Sequence, residues 1–122
     1  MGVLIGVDPH KATHTAVAFN RSEAEVARAR VRATRTQVPQ VLRWPEPLGK
    51  RAWAVEPAGG LGYLLSQQLV AAGETVLDVP STLAARIRVH GSGRSDKNDP
   101  NDALSVAIAA LRTPALREVV RT

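Results

Sequence analysis

The 122-residue chain has no cysteine, so disulfides, thiolate metal sites and thiol nucleophiles are all excluded. Aromatic residues are scarce: Phe19, Trp44, Trp53 and Tyr63 are the whole set, too few for single-strand binding by base stacking. No apolar run approaches the roughly 18 residues that span a bilayer. Met1 leads straight into a strand-like segment without a basic region or cleavage site, so no signal peptide is read. A cytoplasmic protein without membrane contact is expected. Acidic residues are the minority, 11 against 16 lysines and arginines, and the formal charge is +5. Such a balance favours a phosphate-bearing partner.

Against that basic background, four acids stand at element ends. Asp8 closes the apolar run Val3-Leu4-Ile5-Gly6-Val7, and Glu56 closes Ala52-Trp53-Ala54-Val55. Asp99 and Asp102 open a helix-like stretch. Residues 2–7 and 13–19 read as strands joined by a short hairpin. The alternating segment 25–32, with Arg28, Arg30 and Arg32 at every second position, reads as an exposed third strand, and a helix is its rival because Ala and Arg favour helix. A short helix over 36–43 stops at Pro45 and Pro47. A strand over 51–55, a helix over 61–72 capped by Gly73, a strand over 75–79 and a short helix from Ser81 to about Ile87 follow. The segment 90–98, with two glycines and no large apolar side chain, reads as a mobile loop. The best helix covers 100–111. This order predicts an α/β fold: three antiparallel strands continued by parallel ones, with helices on the faces of a mixed sheet.

If the strands ending at Asp8 and Glu56 are neighbours, their carboxylates lie side by side. Gathered carboxylates repel unless a cation neutralises them, and hard oxygen donors select Mg²⁺, or Mn²⁺ in its place. Each acid also has a bland use. Asp8-Pro9 is a good turn start, Asp99 before Pro100 a good helix cap, and Asp102 favours the helix dipole. Glu56 before Pro57 has no such local job. Lys11 and the run Arg86, Arg88, Arg94 and Lys97, directly before the acidic pair, suit a nucleic-acid backbone, with a solvated charge run as the alternative. Gly60-Leu61-Gly62 lacks the third glycine and the lysine of nucleotide-binding loops. His10 and His14 flank the hairpin without a third zinc ligand, and no serine is partnered by a local base.

Three stretches taken together resemble the DEDD transposases of bacterial insertion sequences. They are Ile5-Gly6-Val7-Asp8-Pro9-His10-Lys11-Ala12-Thr13-His14-Thr15-Ala16, Val55-Glu56-Pro57-Ala58-Gly59-Gly60-Leu61-Gly62, and Asp99-Pro100-Asn101-Asp102-Ala103. Leu83-Ala84-Ala85-Arg86 after Val79-Pro80 extends the likeness over nearly the whole chain. Ala58 stands where the family usually has threonine. The resemblance implies a RuvC-like fold of the ribonuclease H superfamily over residues 1–112. It also implies that Asp8, Glu56, Asp99 and Asp102 are the Mg²⁺-binding catalytic acids, and that the substrate is DNA. Some members of the family are directed by a structured guide RNA and act as multimers. It further implies that residues 113–122 are a basic tail leading toward a second, serine-bearing domain, so that this chain alone would not complete recombination. A structure-selective Mg²⁺-dependent nuclease and a non-catalytic nucleic-acid-binding remnant are the alternative readings.

Overall fold

The computed structural model describes residues 2–56, 58–80 and 99–122, with positions 99–102 as backbone. Five strands form one sheet: β1 (Val3–Asp8), β2 (Thr13–Phe19), β3 (Glu25–Arg32), β4 (Arg51–Val55) and β5 (Val76–Asp78). Their spatial order is β3-β2-β1-β4-β5. β1–β2 and β2–β3 pair antiparallel, whereas β1–β4 and β4–β5 pair parallel. The opening apolar strand is therefore central, with the hairpins built out to one side and the crossover strands to the other. The mixed sheet expected from the element order is present, and residues 25–32 are strand rather than helix. The partner strand β2 decides this, because pairing buries Val31 while the arginines stay exposed.

Helices cover both faces. On one face, Ile5, Val7, Trp53 and Val55 pack with Val41 of α1 (Val38–Arg43) and with Leu65 and Leu69 of α2 (Tyr63–Ala71). On the other, Leu4, Ala54, Val17 and Phe19 pack under α3 (Asp99–Arg112), through Ala103, Val106, Ala107 and Ala110. Helix α1 begins at Val38, two residues later than the composition suggests, because Pro39 suits only a first turn. Helix α2 is shorter than 61–72, and Leu61 and Leu64 of its expected apolar stripe are about half exposed. Buried Ser66 takes part of that face instead. Gly73 ends the helix in left-handed conformation at φ 91°, and the Glu74 N–H returns to the Leu69 carbonyl at 2.9 Å. The short helix expected from Ser81 and the loop over 90–98 lie outside the described residues.

Residues 113–122 run back along β5. The Asp78 N–H donates to the Arg117 carbonyl at 2.9 Å, and the Val119 N–H to the Val76 carbonyl at 2.8 Å. Val119 packs against the core, so backbone pairing covers much of the β5 edge.

The tightest contact between β1 and α3 is at Gly6. A Cβ there would sit 2.7 Å from both the Ala107 Cβ and its backbone nitrogen, and closer still to the Ala103 carbonyl oxygen. Ala103, Val106, Ala107 and Ala110 complete the fit with small side chains, letting helix backbone rest on strand backbone. Gly6→Ala should therefore cost about 3 kcal/mol, because backbone rather than a flexible side chain stands in the way. Urea unfolding should show that loss as a lower midpoint at unchanged slope.

A second constraint holds the β1–β2 hairpin. Buried His14 donates from Nε2 to Gln37 Oε1 at 2.8 Å, Gln37 Nε2 donates to Gln68 Oε1 at 2.7 Å, and Gln68 Nε2 donates to the Arg35 carbonyl at 2.9 Å. Burial holds the His14 pKa below the ordinary 6.5, outweighing the Gln37 hydrogen bond that raises it, and neighbouring His10 lowers it further. The unfolded chain thus takes up this proton before the folded one does. Stability should be complete above about pH 6.5 and decline as pH falls below it, levelling once folded His14 is protonated. Thermal melts on either side of that pH should show the drop, and His14→Gln should remove that part of it.

Candidate active site

The site is assembled by strand register. β1 and β4 run parallel with Val7 opposite Val55. Asp8 and Glu56 are each one residue further along, at matching C-terminal ends of neighbouring strands about 4.8 Å apart. Alternation fixes the face. Leu4 and Gly6 meet α3, and Ala54 packs in the same cluster as Leu4. Asp8 and Glu56 continue those two rows on the α3 side. In α/β sheets the carboxyl ends of strands are where ligands are received.

Helix α3 runs antiparallel to β1. Its early residue Ala103 lies over Gly6, while Ala109 and Ala110 cluster with Leu4. Counting back from Ala103, position 99 lies about 6 Å further along the helix axis. Asp8 lies about 6.6 Å beyond Gly6 along the strand. The start of α3 is thus level with the two strand ends. Positions 99 and 102 also fall on the row, spaced by three and four, that continues through Ala103, Val106 and Ala107 toward the sheet. Register sets Asp8 and Glu56 at neighbouring strand ends, and the helix axis brings positions 99 and 102 to the same end as backbone. Among the described residues no group of three His, Asp or Glu side chains is close enough to hold a metal ion.

Asp8 is largely shielded, with 13% of its side chain exposed, and its Oδ2 lies 2.8 Å from Nε2 of His10. With Asp8 ionised, His10 donates that hydrogen bond, which fixes how the carboxylate is presented. Sequence reasoning set His10 aside after rejecting zinc. The available signal was its place two residues after a candidate ligand, on a hairpin tight enough to fold back. Thr15 was also missed. It is paired directly with Asp8, 2% exposed, and its hydroxyl has no hydrogen-bond partner among the described residues. A buried hydroxyl facing the same side as an acid is a polar group left to be satisfied. Carboxylates with a hydroxyl beside them, in a chain without sulfur donors from cysteine, fit a hard divalent cation such as Mg²⁺.

Of the residues expected to touch nucleic acid, Lys11 is exposed in the hairpin beside His10. Arg86, Arg88, Arg94 and Lys97 lie outside the described residues. No described helix is long and apolar enough to cross a membrane.

Known proteins resemble this arrangement in two ways. A solved structure titled Thermus thermophilus RuvC in complex with Holliday junction substrate superposes with a TM-score of 0.68 at 17% identity, covering 98% of this chain and all of that one. A second Thermus thermophilus RuvC structure gives 0.62 at 18% identity, covering 96% and 99%. At such identities the likeness shows the fold, which is RuvC-like and hence of the ribonuclease H type. No curated protein matches the sequence. A family model described as a transposase, of the DEDD type, matches residues 5–122. With the match spanning all but the first four positions, the chain belongs to the DEDD transposase family.

Proposed function

We propose that this chain is the metal-dependent catalytic domain of a DNA transposase acting on insertion-sequence DNA, with Asp8, Glu56, Asp99 and Asp102 as the acids that hold Mg²⁺ or Mn²⁺. The observation carrying this reading is the register of β1 and β4, which sets Asp8 and Glu56 at matched ends of adjacent parallel strands on the α3 face. Carboxylates at neighbouring strand ends favour a cation between them. A pair of bound Mg²⁺ ions would supply stabilisation of both the attacking and leaving oxygens of a phosphodiester. The chain's own residues do the rest. Asp8 and Glu56 are fixed by the sheet, Asp99 and Asp102 are delivered by α3, and His10 steers the Asp8 carboxylate.

DNA is the proposed substrate. A structured guide RNA and further copies of the chain are proposed partners, both resting on the family membership, and a cytoplasmic location goes with them. A structure-selective nuclease is the second reading, favoured by the end-to-end match to a RuvC whose title places it on a Holliday junction. Mg²⁺-dependent nicking of branched DNA by this chain alone, abolished by Asp8→Asn, would select it.

Asp8→Asn and Glu56→Gln should each lower Mg²⁺-dependent DNA cleavage by about 10²-fold or more, on the order of several kcal/mol of lost charge stabilisation. Both variants should still fold, as circular dichroism would show. Retained activity in either would remove the acid pair from the chemistry. His10→Ala should weaken Mn²⁺ binding by about 10- to 100-fold in calorimetry, the usual effect of losing a group that orients a ligand. Unchanged affinity would reduce the contact to a hairpin feature.

A further inference from the structure

We propose that Arg30 and Arg32, on the outer strand β3, form a guide rail for the phosphodiester backbone of the DNA that enters the acidic site. This rests on the proposed function only in taking DNA as what passes the acids. Register carries the argument. Asp8 pairs with Thr15, and Thr15 pairs with Arg30, so one row across the sheet reads Asp8, Thr15, Arg30. Directly paired residues share a face. Arg28, opposite Val17, and Arg32, opposite Thr13, therefore stand on the same α3 side as the acids. The inward alternation agrees: Ala27 and Val31 pack into the opposite core cluster.

Two strand spacings put the Arg30 backbone about 9.6 Å from that of Asp8, within reach of a substrate held at the carboxylates. Successive arginines are about 6.8 Å apart along the strand, so they recur at regular intervals on one face. Arg28 is clasped by Glu25, through Nε to Oε2 at 2.5 Å and an Nη2 contact to Oε1 at 2.7 Å. Arg30 stands level with Asp8 and Arg32 lies beyond it, so position along the strand assigns these two to the phosphates. β3 is the sheet edge on that side, so its side chains meet whatever lies beyond α3. Guanidinium forks are suited to phosphate oxygens in two-point contacts.

Alternating arginines also protect an edge strand from pairing with another chain, and the experiment separates the two uses. Binding of a labelled four-way DNA junction is measured in EDTA, which prevents cleavage, between about 50 and 200 mM salt. Arg30→Gln/Arg32→Gln should flatten the log affinity against log salt slope by about 1.8, roughly 0.9 for each phosphate contact, and weaken binding about tenfold at the lowest salt. Arg30→Lys/Arg32→Lys should restore most of the slope, and Arg121→Gln in the C-terminal segment should leave it unchanged. A wild-type slope in the glutamine double variant, with self-association rising in sedimentation, would overturn the proposal in favour of edge protection. A slope that changes for an RNA hairpin and not for DNA would overturn it too. Loss of cleavage in Asp8→Asn together with an unaltered slope in the arginine variant would leave the catalytic reading standing and remove only the rail. An altered slope with cleavage intact in Asp8→Asn would do the reverse.

Discussion

Backbone contact between Gly6 and the first half of α3 is the constraint on which the site depends. With no side chain at position 6 and alanines at 103 and 107, the helix lies directly on the central strand. This fixes three things together: the depth of α3, its direction against β1, and the level at which its first turn meets the strand ends. Any larger group at position 6 would lift the helix. The first turn of α3 would then be displaced from the ends of β1 and β4, although no residue at either of those ends had changed.

The sheet supplies the other half of the geometry. A parallel pair needs no turn between its strands, so β1 and β4 can end together and present side chains into the same space. An antiparallel neighbour could not give two matching C-terminal ends. β2 contributes differently: it pairs Thr15 with Asp8 and sends the same row on to Arg30. Acidic and basic residues are thereby segregated along one face, the acids at the centre and the arginines at the rim. That division suits a polyanion held at the edge while one of its phosphates meets a cation in the middle. His14 lies on the opposite face of the same hairpin. Its link through Gln37 and Gln68 to Arg35 ties the hairpin to α1 and α2. The loop bearing His10 is thus braced from behind.

Much of this was legible in the residues. The run from Val3 to Val7, the β-branched alternation after Thr13 and the glycine after α2 each announce an element by local chemistry. The element order then leaves few sheets to build. The acids at 8 and 56 were visible because each ends an apolar run. What local chemistry could not show was anything decided by register. Whether Arg28, Arg30 and Arg32 faced the acids or the other side depended on a pairing parity that a single-residue slip would invert. Thr15 had the same ambiguity, and only once the hairpin is closed does its buried hydroxyl stand without a partner among the described residues. The start of α2 was misjudged because leucines at 61 and 64 fit a helical stripe as well as Leu65 and Leu69 do. Burial separates them, and burial is set by the sheet. Residues 117–119 carried no strand signal, since their pairing with β5 is a tertiary choice.

The central claim is that acids far apart in the chain share one divalent-cation pocket, and anomalous diffraction from crystals grown with Mn²⁺ tests it most directly. The account predicts density between the C-terminal ends of β1 and β4, within bonding distance of the carboxylates of Asp8 and Glu56 and bordered by the first turn of α3. Manganese bound elsewhere, or those two carboxylates turned away from each other in its presence, would contradict it.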